Sequence, residues 1–178
     1  MVTKGAFGYI IGKKKRIMIV NDDADLLWQI LVREIYVLMK HYKTKEDLQK
    51  AFEAIIVAKN NPNFGQIQQC KCFTDFDNSD DDWKWNSLLR YCQSSFINVL
   101  ESSYILNEKN DLYGHIFLLD FNKGEVSFFY KDCDGKDKEI DSAKIEEIME
   151  FEDMPSKNYT EIVAEMRDRF SIFYENIT

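Results

Sequence analysis

Residues 70–85, CKCFTDFDNSDDDWKW, hold the chain's most chemically suggestive side chains: five aspartates, two cysteines and two tryptophans. Carboxylates at alternate positions of a short turn can converge on one hard cation, and Asp75, Asp77, Ser79 and Asp81 have that spacing. Two requirements of a calcium loop fail. Asp80 stands where the sharp turn needs glycine, and Asn86 stands where a bidentate glutamate would close the coordination shell. The stretch reads as a solvated acidic loop with no assigned metal, weak divalent binding at Asp75, Asp77, Ser79 and Asp81 being the residual option. Zinc is served no better. One residue separates Cys70 from Cys72, where a zinc knuckle uses about two to four, and Cys92, Cys133, His41 and His115 are scattered. No cofactor is expected.

Other reactive groups lack a catalytic setting. Cys92, His115 and Asp120 could supply a nucleophile, a base and an orienting carboxylate. Cys92, however, falls at a core-facing helical position, and geometry rather than residue type defines such a triad. Thr3, just ahead of a hairpin, loosely resembles the start of N-terminal-nucleophile hydrolases. Loss of Met1 would expose Val2 instead, so Thr3 reads as an ordinary residue leading into the first strand. The glycines of GAFGYIIG precede a hairpin, not a helix, and so lack the dipole that holds phosphate. No G-x-S-x-G or H-E-x-x-H pattern occurs.

The chain that must position these groups has 178 residues, 45% of them apolar, with thirteen Phe, nine Tyr and three Trp. That is enough for one core, and two prolines and seven glycines leave little material for long linkers, so residues 1–178 are read as a single domain. The net charge of −8 opposes a phosphate backbone, so nucleic acid is not the expected partner. The basic run KKKR (residues 13–16) reads as a charged hairpin tip in preference to a phosphate patch. No apolar run approaches the roughly 18 residues of a membrane span, so no membrane association is expected. The N-terminal charges lie on the wrong side for a secretory leader, and a cytoplasmic protein with reduced thiols is expected.

Periodicity places the elements. Residues 5–11 and 16–20 read as a hairpin. NDDAD offers N-caps to a helix with Leu27, Ile30, Leu31, Ile35, Leu38 and Tyr42 on one face. Thr44 caps a second helix, with Leu48, Phe52, Ile55 and Ile56 as its buried stripe and Asn60, Asn61 and Pro62 as its end. Residues 63–85 look least regular. A third helix is expected over 87–103, with Leu88, Leu89, Cys92, Phe96, Val99 and Leu100 inward. YGHIFLLDFNKGEVSFFYKD is the clearest hairpin, with Gly124 in its turn. KIEEIMEFEDMP suits either a helix or an edge strand, and the segment from Asn158 onward is helical. Hairpins without strict strand–helix alternation predict an α+β domain, an antiparallel sheet of at least two hairpins covered by about four helices.

The opening VTKGAFGYIIGKKKRIMIVND, the central WKWNSLLRYCQSSFINVLES (through Trp85, Leu88, Leu89, Arg90 and Gln93), the LYGHIFLLDFNKGEVSFFY hairpin and IMEFEDMP together resemble a family of small phage, giant-virus and bacterial proteins of unassigned function. Members begin Gly-Thr-Arg-Gly and reach an Asn-His-x-Asp-like turn before a helix. Val2 and Lys4 replace the family's Gly and Arg, and Asn21-Asp22-Asp23 lacks the His, so chemistry using that His does not carry over. The resemblance implies a viral or mobile-element setting, a host cytoplasm and an α+β fold, and brings no activity with it.

Two functions are expected from these residues. The first is a small acidic binding protein, phage-encoded or acting in phage–host conflict, whose Asp80, Asp81, Asp82 and Trp83 present an acidic-aromatic surface to a basic protein partner. The second is a small hydrolase or ligand-processing enzyme. Its small-ligand site would join the N-terminal hairpin to the 87–103 helix through Thr3, Lys4, Asn21, Asp22, Arg90 and Gln93.

Overall fold

The computed structural model describes residues 3–20, 23–59, 62–71, 85–106 and 114–175. The fold is α+β, built on a five-stranded sheet. Strands β1 (Gly5–Ile11) and β2 (Lys14–Val20) form the first hairpin, with Ile11 opposite Lys14. Only two residues turn the chain, and Gly12 takes a φ of 59° at the first of them. A two-residue turn with positive φ there matches the right-handed twist of the flanking strands. The basic run therefore belongs mostly to β2, which begins two residues earlier than the periodicity indicated.

A 3-10 turn (Ala24–Leu26) leads into α1 (Leu27–Tyr42), which buries Leu27, Leu31, Val32, Ile35, Val37 and Leu38. Ile30, expected inward, is 44% exposed. The Thr44 hydroxyl oxygen accepts the Asp47 N–H at 3.1 Å and caps α2 (Lys45–Glu53). That helix stops before Ile55 and Ile56, and Ile56 instead enters β3 (Ile56–Val57), 52% exposed. The nominally irregular region contains α3 (Phe64–Lys71). The expected third helix is two, α4 (Trp85–Cys92) and α5 (Phe96–Ser102). Side chains make the break: the Ser95 hydroxyl oxygen accepts the Asn98 N–H, and buried Gln93 accepts the Leu106 N–H at 2.9 Å.

Strand β4 (Tyr104–Ile105) pairs in parallel with β3 as a small second sheet. The second hairpin, β5 (Gly114–Asp120) and β6 (Glu125–Lys131), is followed by β7 (Asp137–Lys144), α6 (Ile145–Ile148) and α7 (Tyr159–Glu175). The ambiguous KIEEIMEFEDMP thus opens as a helix. The strand order is β2-β1-β5-β6-β7, and β1 pairs with β5 in parallel while the other neighbours are antiparallel.

One sheet face carries the main core. Phe7, Tyr9, Met18, Phe117, Leu119, Val126 and Phe128 meet residues of α1, α2, α5, α6 and α7 there. Phe96 is its hub, with rings of Phe7, Phe52 and Phe117 at 5.1, 5.3 and 6.0 Å between centroids. Such edge-on pairs add about 0.5–1.5 kcal/mol each beyond area burial. The opposite face holds a smaller cluster of Ala6, Ile17, Ile116 and Leu118. In β1, a Cβ on Gly8 would sit 2.0 Å from the Arg16 carbonyl oxygen, so the tight first hairpin needs glycine there. The α7 helix docks through Tyr159, whose hydroxyl donates to Glu101 while its ring stacks on His41 at 4.3 Å; Arg167 reaches the same carboxylate at 3.0 Å.

The two hairpin turns are tied together. Asn122 accepts the Gly12 N–H at 2.8 Å and donates its amide to the Gly12 carbonyl at 2.9 Å. These two hydrogen bonds tie the first hairpin's turn to the second's.

Candidate binding site at the first hairpin tip

Strand alternation puts Tyr9, Ile11, Lys14 and Arg16 on the helix-covered face, as cross-strand pairs Tyr9–Arg16 and Ile11–Lys14. The α2 helix covers this face only as far as Phe52 and Glu53. Beyond it lies a cavity of about 470 Å³, lined by Tyr9, Ile11, Lys14, Arg16, Phe52 and Glu53 together with Gly12, Lys13 and Ile55. Its floor is aromatic: the Tyr9 and Phe52 rings meet edge-on at 4.9 Å, and both residues are buried. Its walls carry three cations against one carboxylate, in a chain whose net charge is −8. The Glu53 carboxylate already accepts the Gln49 amide at 2.8 Å.

Burial pushes the Tyr9 phenol up to about 12, with the nearby Arg16 charge pulling the other way. The hydroxyl therefore stays protonated at neutral pH and can donate to an anion. A planar guanidinium beside it offers forked donors suited to a carboxylate or phosphate. Exposed Lys13 and Lys14 add attraction at the mouth. Three cations, a phenol and an aromatic floor give the lining the makings of an anion receptor.

A second cavity of about 300 Å³ lies on the opposite face, lined by Ile10, Leu118, Asp120, Lys123, Ser127, Phe129, Asp137 and Glu139. Most of its charges are engaged by groups outside the lining or by backbone. Lys131 pairs with Asp137 at 3.6 Å, Lys123 with Glu125 at 3.8 Å, and the Asp120 carboxylate accepts the N–H groups of Asn122 and Lys123.

Four of the six residues expected to form a pocket lie within the described residues. The Thr3 hydroxyl donates to Asp25 at 2.5 Å and holds that carboxyl below the usual range. Lys4 is exposed, and its carbonyl accepts the His115 N–H. Arg90 is exposed on α4, and Gln93 is buried at its end. None of these four lines either cavity. Asn21 and Asp22 lie outside the described residues, as do Asp75, Asp77 and Ser79 and the acidic-aromatic Asp80, Asp81, Asp82 and Trp83.

The Cys92–His115–Asp120 arrangement does not form. His115 and Asp120 are five residues apart on β5 and project from opposite faces. His115 stacks on Phe128 at 5.6 Å, and Cys92 contacts Cys70 and Ser102. Among the described residues, no three His, Cys, Asp or Glu side chains group to hold a metal ion, and no helix is long and apolar enough to cross a membrane. The sequence reading assigned Phe52 to a buried stripe only and gave Tyr9 and Glu53 no role. The available signal was the two-residue turn: once Gly12-Lys13 is the tip, Tyr9 must oppose Arg16. Comparison of the chain with protein-family models, curated proteins and solved structures finds no match.

Proposed function

We propose that the protein binds a small anionic ligand with an apolar or aromatic body, seated at the tip of the first hairpin. The observation that carries this reading is the cluster of Lys13, Lys14 and Arg16 around the Tyr9–Phe52 floor, in an otherwise acidic chain. The anionic group would meet the Arg16 guanidinium and the Tyr9 hydroxyl, and the body would lie against Phe52, Ile11 and Ile55. A volume of about 470 Å³ falls in the range of small-molecule sites. This keeps the protein in the binding class expected from its sequence and moves the site from the acidic segment to the basic tip.

Phenyl phosphate is a suitable probe because it joins a ring to a divalent anion. Calorimetric titration should show it binding more tightly than either inorganic phosphate or phenol. Arg16→Ala should weaken it by roughly 10- to 100-fold, the span of a hydrogen bond to a charged group, with the melting temperature little changed. Equal affinity in the variant, or no preference for the combined probe, would remove this reading.

A further inference from the structure

The third apolar cluster contains two cysteines that are not disulfide-bonded. Cys70 on α3 and Cys92 on α4 are fully buried, packed with Trp85, Leu88 and Leu89. Their side chains are in hydrogen-bonding contact, and Ser102 of α5 also meets the Cys92 sulfur. The Cys70 contact holds the Cys92 thiol below its ordinary range; burial opposes this and Ser102 assists it. Two thiols in contact need only a short approach to reach the roughly 2.05 Å of a disulfide. Buried thiols are usually inert because bulky reagents cannot reach them. This pair differs from an inert thiol in having its resolving partner already in place.

We propose that Cys70 and Cys92 are a redox pair, closed to an intramolecular disulfide by hydrogen peroxide, an oxidant small enough to enter the cluster. The Cys92 sulfur attacks one peroxide oxygen, the O–O bond breaks, one water leaves, and Cys92 becomes a sulfenic acid. The Cys70 sulfur then attacks the Cys92 sulfur. The S–O bond breaks as the S–S bond forms, and a second water carries away the remaining thiol hydrogen. One peroxide is reduced by two electrons and two thiols are oxidised. The new bond joins α3 to α4 and closes a ring of residues 70–92, whose sequence includes the whole acidic stretch.

The test treats the full chain with hydrogen peroxide, unfolds it in an alkylating reagent, and maps peptides by mass spectrometry. Two of the four cysteines should escape alkylation, the intact mass should fall by two hydrogens, and one cross-linked peptide should contain Cys70 and Cys92. Dithiothreitol should reverse all three changes. Cys92→Ser, nearly isosteric, should keep the fold and abolish the cross-link. The oxidised wild type should melt higher by about 5 °C or more, as expected for a closed ring of this size, and the variant should not. Four alkylatable thiols after oxidation, a linkage through Cys72 or Cys133, or survival of the mass loss in Cys92→Ser would overturn the proposal.

Discussion

Glu34 projects from α1 toward the start of α5, and its carboxylate accepts the Phe96 N–H at 2.9 Å, with Ser95 and the Ile97 N–H as further donors. It satisfies backbone donors that a helix start leaves open. Burial nevertheless dominates and pushes its carboxyl from an ordinary 4.5 up to about 7, with the hydrogen bonds opposing that rise. The folded-state value exceeds the unfolded one, so the native state binds more protons between them. This contribution to stability is fully present below the unfolded value and is lost as pH rises through about 7. At about 1.36 kcal/mol per pH unit, the loss between roughly pH 5.5 and 8 is about 2 kcal/mol. That is an upper figure, because part of the Glu34 side chain meets solvent. Glu34→Gln keeps an acceptor for the Phe96 N–H and removes the titration. Urea denaturation of both proteins across this range should show the stability difference between them shifting by 1–2 kcal/mol in favour of the variant as pH rises (about 1.36 kcal/mol per unit). A difference that stays constant with pH would refute the reasoning.

Phe96→Ala should cost about 3–5 kcal/mol, because it empties the space shared by Phe7, Phe52 and Phe117; a denaturant midpoint close to wild type would contradict its place as the hub. Gly8→Ala should destabilise by about 3 kcal/mol, since the new methyl would meet the Arg16 carbonyl, and thermal unfolding reads this directly. For the protein-partner reading, the double variant Trp83→Ala with Asp81→Ala should lose capture of a basic protein partner at unchanged melting temperature. Undiminished capture would rule that surface out.

Legibility followed locality. The first hairpin, α1, the Thr44 cap and the β5–β6 hairpin were readable because each rests on nearby residues: alternation, a 3.6-residue stripe, a hydroxyl ahead of a helix, a glycine in a turn. β7 was missed because it is an edge strand exposed along nearly its whole length, so KDKEIDSAK has no apolar alternation, and a bulge opposite Phe128 and Phe129 breaks what period remains. The split of the 87–103 helix was hidden because apolar spacing runs through the break, and only the Ser95 and Gln93 side-chain bonds end one helix and start the next. Ile55 and Ile56 fitted the α2 stripe but fall past its end. The cavity at the hairpin tip required knowing how far α2 reaches over the sheet, which is a tertiary fact.

The parallel pairing of β1 with β5 has a bearing on how the chain reaches this fold. Gly5 lies beside His115, so the sheet's central seam joins residues 110 positions apart. The loop entropy of that closure must be met before its contacts contribute, a circumstance that slows folding. At about 5–20 residues per second of synthesis, the finished first hairpin waits roughly 5–20 s for its neighbour to leave the ribosome. During that interval the β1 edge that will receive β5 has its backbone groups open, flanked by the apolar Phe7, Tyr9 and Ile10. The nascent chain is then most vulnerable to wrong strand pairing, and its yield should depend on the pace of translation between the two hairpins.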